Sequence, residues 1–195
     1  MNDSDLDKAV AILKRGGLVA FPTETVYGLG ADASNPAALG RLYSAKGRPA
    51  DHPVIVHIAG MPQLVQWARE ITPVAIKLAR RFWPGPLTIV LKRAPGVIDA
   101  VTGGQDTVGI RIPDNRICID LVLALGNPII TTSANLSGEE PVGDPIIIDR
   151  TFGNQLDIVI DGDILMTDVS SVISLVGDAP RVLRAGLGDV SWCVQ

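Results

Sequence analysis

Apolar positions along the chain follow two rhythms. Leu6, Val10 and Leu13 recur at helical spacing behind Ser4, and Ser4 with Asp7 three residues on is placed to cap this first helix, which Gly16-Gly17 ends. Residues 18–21 form a short unbroken apolar run, the pattern of a buried strand. Residues 22–30 are polar and carry two glycines, so they read as a loop. Asn35-Pro36 is a cap followed by a first-turn proline, and the helix it opens runs to about Lys46 and stops at Gly47. Strands are expected at 54–58, 87–92, 108–112 and 128–132, and later at 157–160, 171–176 and 181–184. Helices are expected at 62–69, at 72–81, and from an Asp114 cap to Gly126, with Trp83-Pro-Gly-Pro86 as a break. No repeat or linker interrupts this alternation. It predicts one α/β domain over residues 1–195, with parallel or mixed strands covered by helices.

Composition narrows the picture. Of the 195 residues, 47% are apolar but only 4% aromatic, so the core is built from Val, Ile, Leu and Ala, as suits buried strands under helices. Residues 121–138 carry no charge, yet Gly126, Asn127, Pro128 and the polar run 131–133 rule out a spanning helix there. The acidic N-terminus lacks the apolar stretch of a signal peptide, and Cys118 and Cys193 form neither a disulfide framework nor a zinc motif. A cytoplasmic protein without membrane association is expected. The net charge of −4 argues against a general nucleic-acid binder. Charge is unevenly spread: residues 71–98 hold five bases and no acid, while 139–168 hold eight acids and one base. Two solvated faces of opposite sign explain this more simply than a basic rim around an anion site.

Several segments carry chemistry. Thr23, Thr25, Gly28 and Gly30 leave the end of a strand, where α/β sheets bind ligands, but match neither a Walker loop nor a dinucleotide fingerprint. Lys46-Gly47-Arg48-Pro49 is a rigid cationic corner, equally readable as a phosphate grip or as a basic helix end favoured by the macrodipole. His52 and His57, at odd separation on an expected strand, face opposite sides, which disfavours a zinc pair and leaves one as a pocket candidate. Arg111 sits in an apolar strand and needs a carboxylate, either an internal Asp or Glu or a ligand held by two parallel hydrogen bonds. The polar run 131–138 ends another strand; Ser133 is not in a nucleophile elbow, so it and Asn135 read as ligand contacts. Ser170-Ser171 and Leu183-Arg184 repeat that pattern. Asp161-Gly-Asp163 reads as a solvated turn rather than a metal site.

Together FPTETVYGLGAD, KGRP followed by HPVIVHI, RFWPGPLTIVL, VGIRIP, TTSANLSG and VLRAGLG resemble the threonylcarbamoyl-AMP synthases, the YrdC-like family, in family order from residue 17 to about 188. The resemblance implies an α/β, YrdC-like fold, a twisted, mainly parallel or mixed sheet with flanking helices curled around a large cleft, in the short single-domain bacterial form. It implies a nucleotidyltransferase that joins L-threonine, bicarbonate or CO2, and ATP into threonylcarbamoyl-AMP and pyrophosphate, with Mg2+ carried mainly on the ATP phosphates. Other tRNA threonylcarbamoylation proteins would then complete the tRNA modification. By position, the threonine site would comprise Thr25, His57, Arg111, Ser133 and Ser170. The ATP site would comprise Lys46, Arg48, His52, Thr107, Asn135, Gly143 and Arg184, with Lys46 and Arg48 gripping the phosphates. Two departures stand out: Gly143 replaces the family's Thr or Ser, so a contact there would be through backbone, and Ser171 replaces a Thr. Rival readings are a carbamoyl-adenylate domain of hydrogenase maturation, a double-stranded RNA or tRNA binder, and a synthase-inactive paralogue. The length and cysteine content oppose the first, the net charge opposes the second, and the retained SAN segment opposes the third.

Overall fold

Strands and helices alternate as the pattern requires. The computed structural model describes residues 3–165, 168–177 and 179–193. In chain order the elements are α1 (Asp3–Lys14), β1 (Val19–Phe21), β2 (Gly28–Asp32), α2 (Pro36–Lys46), β3 (Ile55–His57), α3 (Met61–Trp67), β4 (Ala68–Arg69), α4 (Pro73–Phe82), β5 (Leu87–Arg93), α5 (Asp99–Thr102), β6 (Thr107–Arg111), α6 (Arg116–Leu125), β7 (Ile129–Ser133), α7 (Pro145–Phe152), β8 (Ile158–Val159), β9 (Ser171–Ser174) and β10 (Arg181–Arg184). Among the described residues the strands form one sheet in the order β10-β9-β5-β6-β3-β7-β2-β1-β8, with β4 beside β5. The sheet is mixed, but it is not mainly parallel. Only β1–β8, β3–β6 and β5–β9 pair in parallel, and the other pairings are antiparallel. The expectation assumed that each helix crosses over between parallel neighbours. Here α2 links β2 to β3 and α6 links β6 to β7, and in each case another strand lies between the two.

Register divides the side chains between two faces. Leu29, Val56, Ile89, Ile110, Ile130 and Ile173 share one face and pack into the larger core, with Leu39 and Leu42 of α2, Leu64 of α3 and Leu78 of α4. The opposite face is only partly covered. At the β1 end Val19, Phe21 and Ile129 lie under α1 and α6, against Leu13, Cys118, Leu121 and Leu125. Beyond them Ile55, His57, Gly109, Arg111, Thr88, Val90 and Ser174 line open clefts on that same face. The site occupies the part of the sheet where the helical cover stops.

Several local expectations change. Ser4 lies inside α1 rather than capping it. Residues 28–32 form β2 instead of a loop, because Gly28 and Gly30 serve close packing. A Cβ on Gly30 would stand 2.5 Å from Phe21 Cε1 and 2.8 Å from Ile129 Cγ2, and one on Gly28 would stand 2.9 Å from Thr131 Oγ1. Asn115, not Asp114, caps α6: its side-chain oxygen accepts from the Ile117 and Cys118 amides. His52 is not on a strand. The elements β4, α5 and α7 were not anticipated, although Asp144-Pro145 opens α7 with the same cap-proline pair that opens α2 at Asn35-Pro36. No described helix is long and apolar enough to cross a membrane.

Candidate functional site

The turn between β1 and β2 is knitted by one hydroxyl. Thr23 Oγ1 donates to the Val26 carbonyl (2.6 Å), accepts from the Thr25 and Val26 amides (3.1 and 3.2 Å), and lies 2.9 Å from Thr25 Oγ1. This fixes Glu24 and Thr25 against Arg111, the last residue of β6. Arg111 is only 3% exposed. Its Nε donates to the Gly85 carbonyl (3.1 Å) and its Nη2 to Thr25 Oγ1 (3.1 Å). Glu24 Oε1 lies 2.6 Å from Nη2 as an ion pair. The lone strand arginine therefore has an internal carboxylate, and Nη1 has no partner among the described residues.

His57 is the register partner of Arg111 across β3–β6. Its Nδ1 lies 3.5 Å from Cys118 Sγ, and its ring meets Phe21 edge-on. Burial and then the Arg111 charge hold its pKa well below 6.5, so the imidazole is neutral. Burial raises the Cys118 pKa and keeps it a thiol. On the far side, Ser170 Oγ contacts Thr88 Oγ1 (3.2 Å) and accepts from Arg184 Nη2 (3.0 Å), while Arg184 Nε donates to the Ser170 carbonyl (2.9 Å). Burial and the nearby Arg111 lower the Arg184 pKa. Thr25, His57, Arg111, Ser133, Ser170 and Arg184 line one small polar cleft of about 60 Å³. All five residues expected around threonine meet here, joined by Arg184, which was expected with ATP.

The cationic corner lies at the end of β7. Gly47, at φ 60°, closes α2 by donating to Ser44 and Tyr43 carbonyls, and turns the chain so that Lys46 points inward. Lys46 is 2% exposed. Its Nζ donates to the Asn135 carbonyl (2.5 Å) and to the Ser133 carbonyl. Burial, with the Arg48 charge second, brings its pKa down from 10.5 to about 8. Arg48 donates to the Pro53 carbonyl (3.0 Å), and its buried Nε is unpaired. Asn135 donates to the Leu136 and Glu139 carbonyls (2.8 Å each), and its buried Oδ1 is also free. Ser133 joins the two regions: its carbonyl takes Lys46, and the residue lines the polar cleft.

A larger cleft of about 380 Å³ adjoins the first at Ile55 and is lined by Thr107, Val90, Gly109, Ser174 and Arg181. Thr107 is thus on the same sheet face as Arg111, two registers away. His52 is exposed, and Gly143 is buried with its carbonyl accepting from Leu165; neither lines either cleft. Sequence reasoning missed Glu24, Thr88, Gly85 and Arg181. Glu24 had a signal, because it stands between the two threonines singled out and a buried arginine demands an acid. Among the described residues no group of three or more His, Cys, Asp or Glu is placed to hold a metal ion.

The family model described as "Telomere recombination", covering Sua5, YciO and YrdC, matches residues 11–186. A threonylcarbamoyl-AMP synthase of Pyrococcus abyssi is 45% identical over 179 residues, covering 91% of this chain and 53% of the relative. One from Bacillus subtilis is 41% identical over 187 residues, covering 95% of this chain and 54% of the relative. The chain therefore spans about half the length of these curated relatives. The solved structure of P. abyssi Sua5 complexed with L-threonine superposes with a TM-score of 0.92 at 42% identity, covering 95% of this chain and 54% of that one. With the strand order, the polar cleft and a match over most of its length in agreement, the chain belongs to the Sua5–YciO–YrdC family.

Proposed function

We propose that this chain is an L-threonylcarbamoyladenylate synthase, a nucleotidyltransferase that converts L-threonine, bicarbonate or CO2, and ATP to threonylcarbamoyl-AMP and pyrophosphate. The observation that carries this reading is Arg111. It is a buried guanidinium at a polar cleft with Nη1 free, in a fold shared with a Sua5 solved with L-threonine. The threonine carboxylate takes Nη1 of Arg111, and Thr25, His57, Ser133 and Ser170 offer hydrogen bonds to the rest of the amino acid. Arg111 was expected to grip that carboxylate with two parallel bonds, but Glu24 and Thr25 already flank Nη2, so the contact is made through Nη1.

ATP lies along the open sheet face. Its phosphates meet the Lys46 and Arg48 cations at the β7 corner, its nucleoside enters the larger cleft beside Thr107, and the free Asn135 Oδ1 is left to accept from an N–H or hydroxyl of the ligand. The free donors at this corner are cationic, which suits phosphate oxygens better than a bare divalent ion. Lys46 and Arg48 would hold the phosphates of a nucleotide that carries Mg2+, and the ion would supply screening of the phosphate charge.

The threonine amine, as its free base, bonds to the carbon of CO2 and loses a proton to solvent, giving a carbamate. A carbamate oxygen then bonds to the α-phosphorus while the bond to the β-phosphate oxygen breaks and pyrophosphate departs. Such transfer needs alignment and charge neutralisation, not a covalent nucleophile. Lys46 and Arg48 act on the phosphates, and Arg184, lining the cleft with Arg111, faces the junction of the two substrates. The adenylate would pass to other tRNA threonylcarbamoylation proteins.

The test is pyrophosphate release by purified protein, with L-threonine and bicarbonate each omitted in turn and L-serine substituted. The expected result is release that requires both, lost in Lys46→Ala and in Arg111→Ala. A folded, ATP-binding protein with no threonine-dependent release refutes the proposal.

A further inference from the structure

Arg111 is held from one side by three groups, and one of them carries a charge. Its Nε is taken by the Gly85 carbonyl and its Nη2 by Thr25 Oγ1. Glu24 Oε1 sits 2.6 Å from Nη2, with the Glu24 side chain 18% exposed and the Arg111 side chain 4%. Neither Glu24 oxygen accepts an aligned hydrogen bond, although both are buried. This carboxylate is not engaged by the backbone around it, so its close contact is the guanidinium. Its own turn is fixed by Thr23, which bonds to residues 25 and 26, so Glu24 and Thr25 reach Arg111 as one rigid unit.

The other groups that face this guanidinium do not balance its charge. His57 is neutral, Cys118 is a thiol, and Arg184 adds a second positive charge, held by Ser170 and no acid among the described residues. A buried arginine without a counterion is strongly disfavoured, and it would turn toward whatever anion or solvent was nearest. In this cleft, that would carry it toward the substrate space.

We infer that Glu24 is the positioning residue of Arg111: it neutralises and anchors the guanidinium from behind, so that Nη1 alone is presented to the cleft as the reader of an amino-acid carboxylate. Glu24 does not line the cleft, so it acts through Arg111 and not on the ligand. The identity of that ligand rests on the function proposed above. The anchoring itself is a property of the free protein.

The experiment has two arms. In the first, dissociation constants for L-threonine and for ATP are measured by calorimetry on wild type, Glu24→Ala and Glu24→Gln. Both variants remove the countercharge of Arg111, so Glu24→Gln and Glu24→Ala should each weaken threonine binding by about 10- to 100-fold, with ATP affinity unchanged in both. If Glu24→Ala fails to fold, Glu24→Met fills the same space without a charge and takes its place. Equal threonine affinity in all variants, or a parallel loss of ATP affinity, overturns the inference. In the second arm the Nε–Hε signal of Arg111, assigned by its loss in Arg111→Lys, is followed by NMR without ligand. It should be sharp and slow to exchange in wild type, and broadened in Glu24→Ala and Glu24→Gln. An unchanged signal in Glu24→Ala overturns the inference. Wild-type protein that binds no threonine overturns the proposed function instead, and the NMR arm then decides the role of Glu24 alone.

Discussion

If Lys46 grips the nucleotide as proposed, binding should depend on pH above neutrality. Its ammonium is buried and held by two backbone carbonyls with no carboxylate partner, and its pKa falls from 10.5 to about 8. If only the charged form grips phosphate, apparent ATP affinity falls with rising pH, by about 4-fold at pH 8.5, about 10-fold at pH 9 and about 30-fold at pH 9.5 relative to neutral pH. The neighbouring titratable groups do not confuse this window. His57 is already neutral, and the Cys118 thiol and the Tyr43 hydroxyl are pushed upward by burial. The assay is calorimetric titration with ATP alone between pH 7 and 9.5, in paired buffers of different ionisation enthalpy. Binding should draw a proton onto Lys46 near pH 8.5, seen as a buffer-dependent heat, and Lys46→Arg should flatten the affinity profile. The sign for folding is opposite. Between about pH 8 and 10.5 the unfolded chain holds more protons on this lysine than the native protein, so its contribution to stability rises with pH there. Nucleotide affinity that stays flat to pH 9.5, with no proton uptake, refutes the reasoning.

Other consequences follow from packing. Gly30→Ala drives a methyl into Phe21 and Ile129 and should cost about 1–3 kcal/mol in urea denaturation, with the fold retained by circular dichroism. Asn35→Ala removes the acceptor for the Ala37 and Ala38 amides at the start of α2 and should cost about 1 kcal/mol in the same assay, whereas Asn35→Asp should be tolerated. In native protein a thiol reagent should modify Cys193 and spare Cys118, which is fully buried and has its pKa raised; both should react after unfolding.

Much of this fold was legible where sequence patterns report local physics. Asn35-Pro36, Gly47 and Thr72-Pro73 mark helix boundaries that the structure keeps, because capping depends on residues a few positions apart. The strand pairing was not legible. Whether β7 lies antiparallel between β2 and β3 is decided by contacts between residues some 75 to 100 positions apart, and nothing in residues 129–133 encodes the neighbour. Gly28 and Gly30 misled for a related reason. In isolation a glycine pair signals a turn, whereas here each makes room for a side chain from another strand. The site was better served, since Arg111 contradicts its apolar strand and so advertises itself, while Thr25, Ser133 and Ser170 stand in polar stretches that border strands. Glu24 was overlooked because an acid in a polar turn contradicts nothing until Arg111 is seen against it.

The two anion-reading ends of the site are built on different principles, and this has a consequence that separates them. The Arg111 guanidinium has its charge offset by Glu24. Lys46 lacks an acid among the described residues, is offset only by carbonyl dipoles, and is tuned to lose its proton near pH 8. An arginine suits a ligand whose carboxylate is always ionised and of fixed planar shape, because charge and geometry can both be set in advance. A buried lysine suits a polyphosphate, whose strong negative charge itself restores the ammonium and repays its desolvation on binding. The amino-acid end should therefore be indifferent to pH between 7 and 8.5, while the nucleotide end weakens by about fourfold over the same interval. Calorimetry with L-threonine alone and with ATP alone, on the same samples, measures both. A threonine affinity that falls in step with that for ATP would mean that the two ends titrate together, and that Lys46 and Arg111 belong to one charge cluster instead of two.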